Sequence, residues 1–196
     1  MATGPRYRVP LRRRRMGKTN YYKRRELLKS GSIRLVVRKS TKNITVQFVE
    51  SIADGDKILV ATTSMKLADY GWKINGGNIP AAYLTGYLAG KMALKNGVEY
   101  AILDLGTQVP QRGTRLYATL KGVIDAGVEV PAGEGIFPEE NIIRGEHIKN
   151  YSERLKKEDK DLYKQRFAGY LKAKQNPEKI ESFFDKTVEA IDKAFA

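Results

Sequence analysis

The chain has 196 residues, a formal net charge of +14 and an ordinary hydrophobic share of 41%, which suit a globular domain with its own core. It has no cysteine and one histidine, His147, which excludes disulfides, thiolate metal sites and multi-histidine metal sites; His147 itself is expected at a helix start or on the surface. No apolar run approaches the roughly 20 residues of a membrane span, so a membrane protein is not expected.

Residues 1–25 form a basic arm with ten Lys or Arg residues and no Asp or Glu. Residues 1–18 lack apolar periodicity and their like charges repel, so we expect this part to be disordered or extended until it meets a ligand. Tyr7, Tyr21 and Tyr22 lie among the cations, where their rings can stack on unpaired bases. The charge indicates a polyanionic partner, and the mixture of arginine and tyrosine favours structured RNA.

A short helix is predicted for YYKRRELLKS, because Thr19 or Asn20 can cap its start and Gly31 can end it. The apolar side chains of Leu27 and Leu28 are expected to dock on the body of the protein. The first turn of this helix then extends the basic surface of the arm.

In residues 33–38, Ile33, Leu35 and Val37 alternate with Arg34, Val36 and Arg38, and apolar and polar residues alternate again in residues 44–48, with the polar stretch KSTK between the two runs. Period two predicts a β-hairpin with one buried face, and the turn at residues 54–55 leads to a third strand, KILVATTS, which completes a meander. Several cations lie on the face away from the apolar side chains or at the hairpin tip, and we predict that they contact RNA because the basic arm precedes them. These cations are Arg34, Arg38, Lys39 and Lys42.

SMKLADYGWK is predicted to be a short helix, and a long buried helix follows, since Asn78 can cap it, Pro80 suits its first turn and Gly97 can end it. Gly86 and Gly90 lie one turn apart in this helix and permit another element to approach closely. YAILDLG is predicted to be an apolar strand and TRLYATLKGVIDAG a second helix. The pattern predicts an α/β fold with a mixed sheet, a three-stranded meander plus one further strand, packed with helices.

VEVPAGEGIFPEE is rich in Gly and Pro and indicates a boundary near residue 131. Residues 146–196 hold 12 bases and 10 acids, and their apolar residues recur at helical spacing. These are Tyr163, Phe167, Tyr170, Leu171, Ile180, Phe183, Phe184, Val188, Ile191 and Phe195. We expect them to pack on the body or on a partner protein rather than to stack on bases. The expected organisation is a basic arm with the start of the first helix (1–25), an α/β RNA-binding domain (26–131), and a connecting segment with a helical C-terminal extension (132–196).

An enzyme is the alternative to a binding protein. Asp104 ends an apolar strand, and Asp54, Asp56 and Asp125 are candidate companions in a metal-dependent nuclease of the ribonuclease H-like type. Such a nuclease would be expected to offer an acid in its first strand, where IRLVVRK offers arginines. We therefore favour a strand-end turn or cap for Asp104 and predict neither catalysis nor a cofactor. DNA binding or nuclear import would also explain the arginines, but no recognition helix or zinc finger supports either.

Several long motifs resemble the archaeal branch of the ribosomal protein L-eighteen family, in the order in which that family carries them. They are GPRYRVPLRRRRMGKTNYYKRR, RLVVRKS, MKLADYGWK, GNIPAAYLTGYLAG, AILDLG, TLKGVIDAGVEVP and IFPEENIIRGEHIKNY. The resemblance extends over nearly the whole chain, and the length and tail fit the archaeal form. It implies a structural constituent of the large ribosomal subunit, in the cytoplasm, that binds 5S rRNA and helps attach it to 23S rRNA in the central protuberance.

The resemblance also implies which residues meet RNA. The arm would reach the junction between 5S and 23S rRNA, and residues 111–115, after the fourth strand, would add further contacts. The implied partners are these two rRNAs and neighbouring large-subunit proteins, with no membrane, small-molecule substrate, cofactor or metal. The complete set of candidate RNA-binding residues is Arg6, Arg8, Arg12, Arg13, Arg14, Arg15, Lys18, Asn20, Tyr21, Tyr22, Lys23, Arg24, Arg25, Arg34, Arg38, Lys39, Lys42, Gln111, Arg112, Thr114 and Arg115.

Overall fold

A mixed four-stranded sheet lies at the centre of the fold in the computed structural model, which describes residues 4–133 and 135–195. The strands are β1 Arg34–Lys39, β2 Ile44–Ile52, β3 Gly55–Thr63 and β4 Ile102–Asp104. Their order is β3-β2-β1-β4; β1 pairs antiparallel with β2 and β2 with β3, whereas β4 runs parallel to β1. The three-stranded meander with one added strand confirms the predicted sheet.

Helices make up most of the remaining described chain. They are α1 Arg12–Arg15, α2 Tyr21–Lys29, α3 Ile79–Lys95, α4 Arg115–Asp125, α5 Glu140–Arg144, α6 Glu146–Glu158, α7 Lys160–Arg166, α8 Ala168–Lys172 and α9 Ile180–Phe195, with 3-10 helices at Ser64–Tyr70 and Pro177–Lys179. The predicted caps form: Asn20 Oδ1 accepts from the N–H of Tyr22 at 3.1 Å, and Asn78 Oδ1 from the N–H of Ala81 at 2.9 Å. Within residues 4–133 and 135–195, no helix is long and apolar enough to cross a membrane.

Helices α3 and α4 pack closely on one face of the sheet because glycines line their contact. A Cβ on Gly86 would collide with the carbonyl oxygen of Thr119, and one on Gly122 would collide with the carbonyl oxygen of Tyr83. Gly90 faces the Cβ of Ala126 in the same way. The close approach predicted from the glycines of α3 is therefore confirmed, and α4 is the element that uses it.

Strand β1 is buried on both faces, which differs from the predicted hairpin with one buried face. Leu35 and Val37 point into the core beneath α3 and α4. Arg34 and Val36, on the other face, are also almost completely buried. The physical reason is the position of β1 between β2 and β4, where the side chains of both neighbouring strands flank it.

The C-terminal segment packs on the body through α9. Ile180, Phe184 and Ile191 are buried together with Trp72 and Leu84, the last of which lies in α3. This contact is the second of the two main apolar clusters of the described chain, after the cluster between the sheet and α3 and α4. The tail is therefore part of the folded body, in agreement with the packing role expected for its apolar stripe.

A smaller aromatic cluster joins α6, α7 and α8. Tyr163 and Phe167 are buried, with ring centroids 5.2 Å apart, and Tyr170 meets Phe167 edge-on at 5.5 Å. Leu171 was expected in the same stripe but is 44% exposed, one residue before the end of α8. The packing prediction holds for the aromatic residues and is wrong for Leu171.

Candidate nucleic-acid interface

The described part of the arm is exposed except at Thr19, Tyr21 and Arg24, which are half-buried, and it contains one turn of helix, α1. Gly17 ends this turn with a positive φ of 65°, and the N–H of Lys18 donates to the carbonyl of Arg13 at 2.9 Å. The expectation of a wholly disordered or extended arm is therefore wrong for α1. The left-handed glycine and this hydrogen bond close the C-terminal end of the turn. They stabilise it against the repulsion among its four adjacent arginines.

Eight of the ten cations of the arm are exposed and have no carboxylate partner within the described residues. They are Arg6, Arg8, Arg12, Arg13, Arg14, Arg15, Lys18 and Lys23. The other two cations, Arg24 and Arg25, pair with Asp56 and Glu26 at 2.8 and 3.0 Å. The arm thus presents a dense group of cations with no internal counter-ion.

The tyrosines of the arm differ in exposure. Tyr7 and Tyr22 are exposed, whereas Tyr21 is half-buried at the start of α2. The guanidinium of Arg14 lies 5.3 Å from the ring centroid of Tyr22, within the range of a cation–π contact. A base could therefore stack on the free face of the Tyr22 ring while the arginine contacts its phosphate.

Helix α2 is tied to the sheet by an ion pair more than by apolar packing. Leu27 is half-buried but Leu28 remains exposed, so the predicted docking of both leucines is confirmed only for Leu27. Arg24 and Arg34 both donate to the carboxylate of Asp56 at 2.8 Å. Burial opposes ionisation of Asp56, but these two hydrogen-bonded cations outweigh it and lower its pKa. In the sequence Asp56 is only an acid beside a hairpin turn, a signal that does not predict this ion pair.

The carboxylate of Asp104 holds two arginines of β1. Arg34 donates to Oδ2 at 2.9 Å, and Arg38 donates to Oδ1 at 3.1 Å and to the Asp104 carbonyl at 2.6 Å. The N–H of Gly106 also donates to Oδ1, at 2.8 Å, as expected for a strand-end turn. Arg34 is 2% exposed, so the prediction that it faces RNA is corrected: its guanidinium is an internal counter-ion of the sheet. Arg38 remains partly exposed at the edge of this network.

The hairpin tip adds further cations to the surface. Lys42 is exposed and Lys39 half-buried, on a tight turn in which the N–H and Oγ of Ser40 both donate to the carbonyl of Asn43. Arg115, at the start of α4, reaches this turn and donates to the Ser40 carbonyl at 3.3 Å. The structure therefore brings the hairpin tip and the segment after β4 together, as the candidate site requires.

Residues 111–115 lie beside the tip with mixed exposure. Gln111 and Arg112 are exposed, while Thr114 is half-buried and donates its hydroxyl to the Gln111 carbonyl at 2.8 Å. Arg115 also donates to the Gly77 carbonyl at 2.6 Å, so part of its guanidinium is already hydrogen-bonded to the backbone. Gln111 and Arg112 are the members of this segment with side chains open to a ligand.

The carboxylates considered for a nuclease do not gather round a common metal position: Asp56 and Asp104 are linked only through Arg34, and Asp125 lies on α4. Asp104 is held by two arginines, and Asp125 accepts from the Tyr83 hydroxyl at 2.9 Å and from Lys121 at 2.7 Å. In the described ranges, no three His, Asp or Glu side chains are grouped so that they could hold a metal ion. His147 lies on the surface near the start of α6, as expected, and partial desolvation lowers its pKa.

Comparison with known proteins identifies the family. Residues 5–99 match the family model described as "Ribosomal large subunit proteins 60S L5, and 50S L18". The chain is 48% identical over 194 residues to the large ribosomal subunit protein uL18 of Thermofilum pendens, covering 99% of each chain. It is 48% identical over 196 residues to the protein of the same name from Aeropyrum pernix, covering all of this chain and 92% of that one.

These relatives are ribosomal proteins, and Asp104 serves as a counter-ion to two arginines, so the chain is not an enzyme. The likeness spans the arm, the sheet and the tail together, since it covers the chain almost end to end. The chain belongs to the family of ribosomal large-subunit proteins that this model describes.

Proposed function

We propose that this chain binds 5S rRNA and helps attach it to 23S rRNA in the central protuberance of the large ribosomal subunit. The observation that carries the proposal is the arm, whose eight exposed cations have no carboxylate partner among the described residues. Each cation that meets a phosphate releases a condensed counter-ion, so such an arm is suited to a densely charged RNA. As a member of a ribosomal family the protein acts in the cytoplasm, on the large subunit.

The division of labour follows from the positions of the charges. Exposed cations and amides are supplied by the arm, the hairpin tip and residues 111–115. We assign these three segments to RNA contact. The sheet with α3 and α4 supplies the rigid support, so residues 26–131 act as the RNA-binding domain. The extension at 132–196 is nearly neutral and packs on α3 through α9, and we assign its outer surface to neighbouring ribosomal proteins.

A competition gel shift tests the assignment to 5S rRNA. The purified full chain is titrated against 5S rRNA, a tRNA and a DNA duplex at the same salt concentration, because affinities at different salt concentrations cannot be compared. We expect 5S rRNA to bind more tightly than the other two. Equal affinity for all three would contradict the proposal and leave a general polyanion-binding protein. Recruitment of a 23S rRNA fragment to the 5S complex, lost when residues 1–18 are deleted, tests the attachment role.

A further inference from the structure

A groove of about 850 Å³ separates the arm and α2 from the face of the sheet opposite α3 and α4. Each strand contributes one apolar side chain to its floor: Val36, Val49, Ile58 and Leu103. Ile58 is 53% exposed although it lies within β3, so the β3 side of the floor is open to a ligand, whereas Val36 and Val49 are buried beneath it. The volume falls in the range of about 300–1,000 Å³ that is usual for pockets that enclose a small organic group.

The wall formed by the arm and α2 is cationic. The groove is lined by six cations and three carboxylates, and each of the three carboxylates is already paired with Arg or Lys. Arg13, Lys18 and Lys23 have no carboxylate partner in the described chain. An apolar floor beneath unneutralised cations suits a ligand with a flat, weakly polar part and an attached anion.

Gln108 lines the groove and is half-buried, and its Oε1 has no hydrogen-bond partner in the described residues. Buried polar atoms in folded proteins nearly always have partners, so this exception calls for an explanation. A turn of this half-buried side chain towards the groove would let its amide pair with the edge of a nucleobase, which carries both donors and acceptors.

We propose that the groove accepts an unpaired nucleotide, with its base on the apolar floor and its phosphate at the cationic wall. This inference rests on the proposed binding of 5S rRNA and adds that the bound RNA presents a base that is outside a helix. A base inside a duplex is stacked on both faces and could not reach the floor, whereas a splayed base can. Tyr22, which also lines the groove, offers a ring to the neighbouring base.

Removing the apolar contact of the floor tests the inference without a change in charge. In Ile58→Ala most of the side chain that a base would cover is gone, and the fold should tolerate the change because the side chain is already half-exposed. Ile52→Ala is the matched control, since Ile52 is similarly exposed at the end of β2 but does not line the groove. We expect Ile58→Ala to bind 5S rRNA roughly fivefold more weakly, as for the loss of one apolar contact, with an unchanged salt slope. Wild-type affinity for Ile58→Ala would overturn the inference and leave the proposed function intact.

A second pair of variants tests the edge contact. Gln108→Ala removes the unmet acceptor, and Thr107→Ala changes an exposed neighbour that does not line the groove. Only the first should weaken binding, by a few-fold. Equal binding by both variants would remove the base-edge contact from the inference. Thermal unfolding of each variant, compared with wild type, shows whether a loss of affinity is only a loss of fold.

The groove is also tested apart from 5S rRNA, so that failure of the two proposals can be distinguished. Fluorescein-labelled hexauridylate serves as the unpaired probe and a six-base-pair RNA duplex as the paired one. We expect Ile58→Ala to weaken binding of hexauridylate and to leave binding of the duplex unchanged. If wild type shows no preference for 5S rRNA but hexauridylate still depends on Ile58, the proposed function fails and the groove remains a nucleotide site. If Ile58→Ala leaves hexauridylate binding unchanged, the nucleotide site is overturned, and a protein segment becomes the better occupant.

Discussion

Arg34 and Asp104 form a buried ion pair between residues that are 70 positions apart in the sequence, with Arg34 donating to Oδ2 at 2.9 Å. Parallel pairing of β1 and β4 sets Val36 opposite Asp104, which places this carboxylate between Arg34 and Arg38. The pair therefore fixes β4 against β1 at the point where the chain leaves the sheet for residues 105–114. The acid at the end of β4, which was the candidate nuclease ligand, here neutralises the arginines of β1.

The first prediction concerns this pair. Asp104→Ala should lower the free energy of unfolding by about 3–5 kcal/mol, because removal of one partner leaves a buried charge with less compensation. Asp104→Asn, which keeps the shape and some hydrogen bonds, should cost less. Urea denaturation measures both, and Asp54→Ala, an exposed acid in the nearby turn, is the control and should stay within about 0.5 kcal/mol of wild type. Equal stability of Asp104→Ala and the control would contradict the role of the pair.

The second prediction concerns pH. Asp56 has a lowered pKa in the folded protein, so its ionised form contributes stability above the ordinary Asp pKa of about 3.9. That contribution should be lost as pH falls below about 4 towards the lowered value, because the folded state must then take up a proton and weaken its bonds to Arg24 and Arg34. Melting temperatures of wild type and Asp56→Asn should differ at pH 6 and converge towards pH 3. Asp54→Asn should show no such convergence; a constant difference for Asp56→Asn would contradict the argument.

The third prediction tests the helix contact. Gly86→Ala should destabilise the protein by about 1–3 kcal/mol, because the added methyl meets the carbonyl of Thr119 and forces α3 and α4 apart. Gly169→Ala is the matched control, since a Cβ there meets no atom within 4 Å and alanine favours helix by up to about 1 kcal/mol. The midpoint of chemical denaturation should therefore fall for Gly86→Ala and rise for Gly169→Ala. A Gly86→Ala variant as stable as wild type would show that α3 and α4 can move apart without cost.

The fourth prediction tests the attachment of the tail. Gln175 is buried and bridges to residues 71–73, donating to the Gly71 carbonyl at 2.7 Å and accepting from the Lys73 N–H at 3.1 Å. Gln175→Ala should cost about 1–3 kcal/mol through loss of two hydrogen bonds, and limited proteolysis should then cleave the tail faster. Gln165→Ala, on the exposed side of α7, should change neither measurement. Affinity for 5S rRNA should survive in Gln175→Ala; a loss like that from deletion of the arm would make the tail an RNA-binding element.

The fifth prediction concerns α1. Replacement of its four arginines with alanine should reduce the log–log salt slope of 5S rRNA binding by roughly 3–4 units, at about 0.7–0.9 per phosphate contact. The control removes four exposed cations of the tail instead. These are Lys157, Lys160, Lys172 and Lys179. The control should leave the slope unchanged, and circular dichroism should report a folded body in both variants. An unchanged slope for the α1 variant would indicate that this turn meets its RNA only in the presence of 23S rRNA.

The features that sequence alone determined are those set by neighbouring residues. Charge density identified the arm, period-two alternation gave the meander, and caps such as Asn78 located the helices, because each depends on residues within a turn or a strand. Gly86 also predicted a close contact between helices, because the sequence alone shows that this position has no Cβ. The exposed cations of the candidate site were predictable for the same reason: an unbroken run of like charge has no local partner.

The tertiary structure decided which charges remain available to a ligand. Arg34 and Arg38 look equivalent in an alternating strand, yet only the first is fully buried, because strand order sets both Asp56 and Asp104 beside it. Those carboxylates come from positions 22 and 70 residues further along the chain, and no local pattern encodes their approach. Coulombic attraction depends on distance in space, so the distinction between a binding cation and an internal counter-ion appears only once β3 and β4 have taken their places in the sheet.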